Sequence, residues 1–229
     1  MIIAQLATLP DRYRMLLQVI NSLLPQVDEL RISLNNYKEI PKFLTHPKIK
    51  AKIFDNTTGD AAKFYDIENI DGYFFSCDDD LRYPPNYINE IIAKIEKYNR
   101  KAIITLHGKD MPKRPVRSYY KDRFETYHCL RTVENDTKVT VGGTGVMGFH
   151  TSTLNVKYSD FKQANMADIF IAGLAKQQNV PIIVMAHRFD WIKALDPDGE
   201  FETIWDVFHN NDELMTNIYN EMFYYNTVQ

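Results

Sequence analysis

Cysteine is nearly absent from this chain: 229 residues contain two, Cys77 and Cys129, which do not form a spaced framework. A disulfide-stapled scaffold is thereby excluded, and a reducing cytoplasm fits best. Long apolar runs are missing too, and no stretch approaches the length of a membrane-crossing helix. The opening MIIAQLATLPDR brings in charge before the apolar core of a signal peptide is complete, so no such leader is expected. Peripheral contact with the inner face of a membrane stays open. Neither sign of charge dominates. The net charge of -3 carries no nucleic-acid signal, and the basic stretch 109–117 is short. Internal repeats, low-complexity segments and linkers are absent as well. With 45% hydrophobic and 25% charged residues, the chain reads as an ordinary globular domain spanning 1–229, with halves 1–106 and 107–229.

What is present is an alternation of strands and helices. Strands are expected at 1–7, 30–34, 50–54, 71–77 and 101–106, each apolar and bounded by turn residues. A helix at 11–24 carries Met15, Leu16, Val19, Ile20 and Leu23 on one face. A short helical stretch follows Gly59, through 63. The helix after Pro84-Pro85 presents Ile88, Ile91, Ile92 and Ile95. This pattern predicts an α/β fold with a mostly parallel, Rossmann-type sheet and helices on both faces. Beyond 106 the pattern changes. Residues 107–137 are polar, aromatic and proline-containing, with no clear period. Short strands are expected at 138–141 and 146–149, around Gly142-Gly143-Thr144-Gly145. A helix at 166–178 and a strand at 181–186 follow, then a helical tail from 201, broken near Asn210-Asn211. The tail stripe Leu214, Ile218, Met222 and Tyr225 is expected to dock on its own domain. The aromatic end of that tail leaves dimerisation open.

Three consecutive aspartates, Asp78-Asp79-Asp80, close the apolar run Tyr73-Phe74-Phe75-Ser76-Cys77. Carboxylates this close repel one another unless a cation or hydrogen-bond donors offset them. Two readings follow. One is a divalent metal held against a phosphate-bearing ligand, at the strand edge where open α/β sheets bind ligands. The other is a solvated turn that caps the next helix. Polar residues also end other strands, at Thr8, Asn35, Asp55 and His187. In a parallel sheet such ends lie along one edge and converge.

These residues carry a resemblance. With Asp78-Asp79-Asp80 after the fourth expected strand and Leu6-Ala7-Thr8-Leu9-Pro10 after the first, residues 1–106 resemble a GT-A fold glycosyltransferase of the large family-two type. The resemblance implies a smaller acceptor-side half, a nucleotide-sugar donor such as a UDP-sugar, and a carbohydrate or other hydroxyl acceptor. It implies an Asp-X-Asp motif that holds Mn²⁺ or Mg²⁺ with the nucleotide diphosphate. Asp80 is then the first choice for the metal ligand, with Asp78 as a metal or ribose contact and Asp79 beside the nucleotide. Thr8, Pro10, Arg12, Asn35, Asp55 and Lys63 fall at nucleotide-side positions, Asn35 standing where the family often has Asp. Gly143 and Thr144 would border the donor sugar or the acceptor, with Trp191 as a sugar-stacking wall. His187 matches a later histidine that some relatives give to the metal. Asp168, in Met166-Ala167-Asp168, matches one member of an acidic pair that holds the catalytic base, and the chain has alanine for the other. One carboxylate suffices for inverting transfer.

Each residue has an ordinary alternative. Arg12 and Lys63 are solvated helix charges, Asp168 is favoured by a helix dipole, His187 makes an ordinary hydrogen bond at a strand end, Trp191 packs as core, and the glycine run at 142–145 is a tight hairpin with no ligand. A sugar-nucleotide pyrophosphorylase is a rival enzyme, but its usual Gly-rich loop after the first strand is missing from Thr8-Leu9-Pro10-Asp11-Arg12. A phosphatase would want its Asp-X-Asp after the first strand. A nucleotide-binding or scaffold domain without chemistry is the non-enzymatic rival.

Overall fold

A computed structural model describes residues 1–196 and 198–225. The first half alternates as expected. Strand β1 (Ile2–Thr8) leads through a 3-10 turn into α1 (Tyr13–Leu23), then β2 (Glu29–Asn35) and β3 (Ile49–Phe54). Loop 36–48 joins β2 to β3 with no helix between them. A 3-10 stretch, Gly59–Phe64, precedes β4 (Tyr73–Cys77), and a two-residue strand, β5 (Leu81–Arg82), precedes α2 (Tyr87–Lys97). Next come β6 (Ile103–Thr105), β7 (Gly108–Asp110), β8 (Glu125–Tyr127), β9 (Thr137–Val139), β10 (Val141–Gly142) and β11 (Val146–His150). Helix α3 (Ala167–Gln177), β12 (Ile182–Val184), β13 (Lys193–Ala194), α4 (Ile204–Phe208) and α5 (Glu213–Asn220) complete the described residues.

One eight-stranded sheet runs in the order β3-β2-β1-β4-β11-β6-β12-β9. Strands β1 to β4 pair in parallel, as do β6 and β12. Strand β9 pairs antiparallel with β12 at one edge, and β11 is the antiparallel strand that shapes the site. It lies antiparallel between β4 and β6, with Val146 opposite Cys77 and Met147 opposite Thr105. The segment entering β11 therefore meets the carboxyl ends of β4 and β6 at one edge, and the Gly142–Gly145 run lands beside Asp78.

Alternation along β4 sends Phe74 and Phe75, both fully buried, to opposite faces. Each such burial contributes about 2–3 kcal/mol of hydrophobic stabilisation. On one face, α1 and α2 pack Leu16, Val19, Ile88 and Ile91 against the sheet. On the other, Phe64, α3 and α5 supply Phe64, Ile169, Phe170, Met215 and Tyr219. Helices thus cover both faces, as the α/β reading requires.

Two expectations are corrected. The stretch 107–137 is not without strands: β7 and β8 join β10 in a three-stranded antiparallel sheet. In the tail, the helix breaks between α4 and α5, but the docked face is Met215, Tyr219 and Phe223. Leu214 and Tyr225 stand exposed, and Ile218 and Met222 are half-buried. The docked face therefore lies one position along from the expected stripe, from Met215 in α5 onward. The last part of the tail, 226–229, lies outside the described residues.

Candidate functional site

A cleft of about 710 Å³ opens along the carboxyl edge of the sheet. Its first wall comes from β1, β2, β4 and the Gly59–Phe64 turn, and holds Thr8, Arg12, Asn35, Lys63 and all three aspartates. The aspartates do not act as one group. Asp79 turns inward, and its Oδ1 takes a hydrogen bond from the Arg12 guanidinium at 3.0 Å. The same guanidinium lies 3.7 Å from Asp80, donates to the Glu202 carbonyl at 2.8 Å and stacks 5.8 Å from the Phe201 ring centre. Asp78 accepts from the buried Lys63 ammonium at 2.7 Å. Gly145 is the residue that admits Asp78: a Cβ there would sit 1.8 Å from its Oδ2. The Gly145 carbonyl accepts from the Asp78 amide at 3.1 Å and from the Tyr83 hydroxyl at 2.6 Å, which fixes the turn.

Charge is crowded on this wall. Burial, then the charges of Asp78 and Asp79, pushes the Asp80 carboxyl up to about 7. Asp60, missed by sequence reasoning, is likewise pushed up to about 7, chiefly by burial and against the pull of Lys63. Its Oδ2 accepts from the Ala167 amide at 3.3 Å, and its Oδ1 is buried without a partner. Lys63 is raised despite its burial by Asp78, Asp60 and Asp168 together. The donor set fits a hard divalent cation, since Asp78 and Asp80 offer carboxylate oxygens whose mutual repulsion a cation would relieve.

Asp168 lies in the first turn of α3, where the helix dipole favours a carboxylate. Its Oδ1 accepts from the Thr144 amide at 2.8 Å and the Thr144 hydroxyl at 2.7 Å. Gly143 and Thr144 are buried and line the cleft with Asp168. Asn35 is held by its side-chain amide, which donates to Asn56 at 2.9 Å and to the Gly59 carbonyl at 3.0 Å.

The second wall comes from the segment without period: His107, Lys109, Tyr119, Tyr120, Arg123, His128 and Cys129. The Lys109 ammonium makes no hydrogen bond or ion pair to the described residues. It sits 3.7 Å from the Tyr119 ring centre and 4.9 Å from that of Tyr120. Burial pulls its pKa down to about 8, against the charge of Asp168. His107 stacks edge-on against His128, with ring centres 4.9 Å apart. Burial, with His128 and Lys109 nearby, pulls His107 down to about 4 and keeps it neutral. Burial pushes the Cys129 thiol up to about 12. One signal in the sequence pointed here: His107 closely follows the strand at 103–105, so it belongs to the same set of strand endings as Thr8 and Asn35.

Four expected residues do not reach the cleft. Pro10 is exposed at the start of the 3-10 turn. Asp55 is exposed and closes its own turn, accepting from the Thr57 amide and hydroxyl at 3.1 and 2.7 Å. His187 is buried with Nδ1 2.7 Å from the Met185 carbonyl and Nε2 3.4 Å from the His128 carbonyl. Trp191 packs on Tyr87 and donates to Asn86 at 3.3 Å, beside a second surface hollow.

No helix among the described residues is long and apolar enough to cross a membrane. No protein-family model matches the chain, and no curated protein matches it either.

Proposed function

We propose that this chain is a metal-dependent glycosyltransferase of GT-A type, which moves a sugar from a nucleoside-diphosphate donor to a hydroxyl acceptor with inversion. One observation carries the reading: Asp78 and Asp80 follow the central strand β4 and open into the same cleft as Asp168. That is the arrangement of metal-side carboxylates and base carboxylate that such transfer needs. A bound Mn²⁺ or Mg²⁺ supplies positive charge against the leaving diphosphate.

The chain's own residues do the rest. Asp80 and Asp78 would hold the cation. Lys63 and Arg12 hold Asp78 and Asp79 in place. Thr8 and Asn35 border the nucleotide. Thr144 aims Asp168 by binding one of its oxygens, which leaves Oδ2 for the acceptor. The acceptor oxygen attacks the anomeric carbon, the bond from that carbon to the diphosphate breaks, and the acceptor proton passes to Asp168. The second wall, with Tyr119, Tyr120 and Lys109, faces the acceptor.

A nucleotide-binding domain without transfer is the second reading. The two bonds from Thr144 to Asp168 favour it, because a carboxylate held this way also serves as a strut. Calorimetric titration of UDP, then GDP, with Mn²⁺ or with EDTA tests the proposal. Metal-dependent UDP binding lost in Asp80→Ala supports it. Failure of both nucleotides to bind with Mn²⁺ present overturns it.

A further inference from the structure

A second constellation lies in the cleft, apart from the aspartates. His107, His128 and Cys129 each offer one ligand-type atom, and these atoms lie within 4.8 Å of one another. We propose that these three side chains bind a borderline transition-metal ion of the Zn²⁺ class, leaving one coordination position open to the cleft. This inference holds whether or not the chain transfers sugars.

The donor chemistry argues for the ion. Imidazole nitrogen and thiolate sulfur suit Zn²⁺ and are poor partners for Mg²⁺, whereas the aspartates have the opposite preference. Two classes of cation therefore sort themselves between neighbouring sites. Three protein ligands with a fourth position open is the pattern of a zinc site that also contacts substrate or water. The positions come from two segments, the turn after β6 and the turn after β8, so the ion would cross-link them.

The ligands are available. Neither ring nitrogen of His107 makes a hydrogen bond to the described residues, although the ring is half-buried. Its neighbour Gly143 leaves it room: a Cβ there would lie 2.9 Å from the His107 Cβ. His128 has one competing bond, from the Leu130 amide to Nδ1 at 3.2 Å. Binding through Nδ1 replaces that bond. Binding through Nε2 moves the ring proton to Nδ1 and releases it. Either route gives up one long hydrogen bond. Cys129 is free of any disulfide and buried at the cleft wall. Tetrahedral zinc with bonds of 2.0–2.3 Å sets its ligands about 3.5 Å apart, so the three atoms close by roughly 1 Å on binding. Side-chain rotation supplies that much.

Co²⁺ is the probe, because its spectrum reports both sulfur ligation and coordination number. One equivalent added to the full chain, reduced and metal-free, is expected to give a thiolate-to-cobalt charge-transfer band and strong visible bands of four-coordinate cobalt. Zn²⁺ should bleach both. Asp80→Ala should retain the charge-transfer band, which separates this site from the proposed glycosyltransferase metal. Cys129→Ser should abolish it, and His128→Gln should weaken Zn²⁺ binding roughly tenfold or more in a competition titration. Circular dichroism of each variant checks folding, and the His128 variant keeps the thiol in place should the cysteine variant fail to fold. Cobalt bound without a charge-transfer band overturns the proposal, as does a band that survives Cys129→Ser or Zn²⁺ affinity equal in wild type and His128→Gln.

Discussion

On the β1–β4 side of the cleft, Lys63 lies 2.7 Å from Asp78 and Arg12 lies 3.0 Å from Asp79. On the β7–β10 side, Lys109 rests on two tyrosine rings and has no carboxylate partner among the described residues. The difference lies in what each wall is prepared to do. Paired charges form a fixed template whose parts hold one another in place. An ammonium left without an anion is poised for an anion that arrives from outside, at a standing cost in desolvation.

Four measurements would break or sharpen this contrast. The largest effect is expected at Asp168, which faces both walls. On the proposed glycosyltransferase reading, Asp168→Asn should lower transfer by about 100-fold or more, with UDP affinity unchanged, in steady-state kinetics alongside calorimetry. Transfer at the wild-type rate would remove Asp168 from the chemistry and leave it as a strut for Thr144.

Lys63→Met comes next. It strands Asp78 and Asp60 without their cation. Breaking a buried pair costs several kcal/mol, and the Asp78 side chain is 43% exposed, so a loss of about 2 kcal/mol in denaturant unfolding is the discounted expectation.

The pH dependence of stability should differ in sign between the walls. Asp60 and Asp80 rise from 3.8 to about 7 on folding, so between those values the native state holds protons that the unfolded chain has lost. Their contribution to stability therefore falls as pH rises through that window. Lys109 drops from 10.5 to about 8, so between those values the unfolded chain holds the extra proton, and its contribution rises with pH. Unfolding free energies measured across both windows, with Asp60→Asn and Lys109→Met as controls, check both slopes. A flat profile in wild type would erase the contrast.

The smallest effect is expected for Lys109→Met at neutral pH. Removing an unpaired, half-buried charge should leave stability within about 0.5 kcal/mol of wild type or raise it. A loss as large as that of Lys63→Met would mean that the second wall is as self-contained as the first.

The first wall was legible in the sequence because its strands are apolar runs and their ends share an edge. Thr8, Asn35 and Asp78 to Asp80 follow from that rule alone. Asp168 came from the resemblance, and the antiparallel insertion of β11 is what brings Thr144 to it. For the second wall, the sequence suggested only that the aromatic and basic segment 107–131 shapes the acceptor side or forms a mobile lid; its strands were not legible. Strands of three residues, such as β7 and β8, give no readable period, and their pairing with β10 is long-range. His187 and Asp55 show the limit of the strand-end rule. A polar residue at a strand end can also turn back on its own backbone, as the His187 ring does beside Met185 and Asp55 does with Thr57.

Arg12 joins three parts of the chain with one guanidinium: the start of the first helical turn, the aspartates and the tail segment at Glu202. Anything that draws Asp79 or Asp80 away competes with Arg12 for the same oxygens. Trp205 lies a few residues beyond Glu202, lines the cleft and stacks 4.1 Å from the His209 ring centre. The other tryptophan, Trp191, lies outside the cleft. Emission from Trp205, read as the difference between wild type and a Trp205→Phe variant with Trp191 as reference, is expected to change when the cleft is filled.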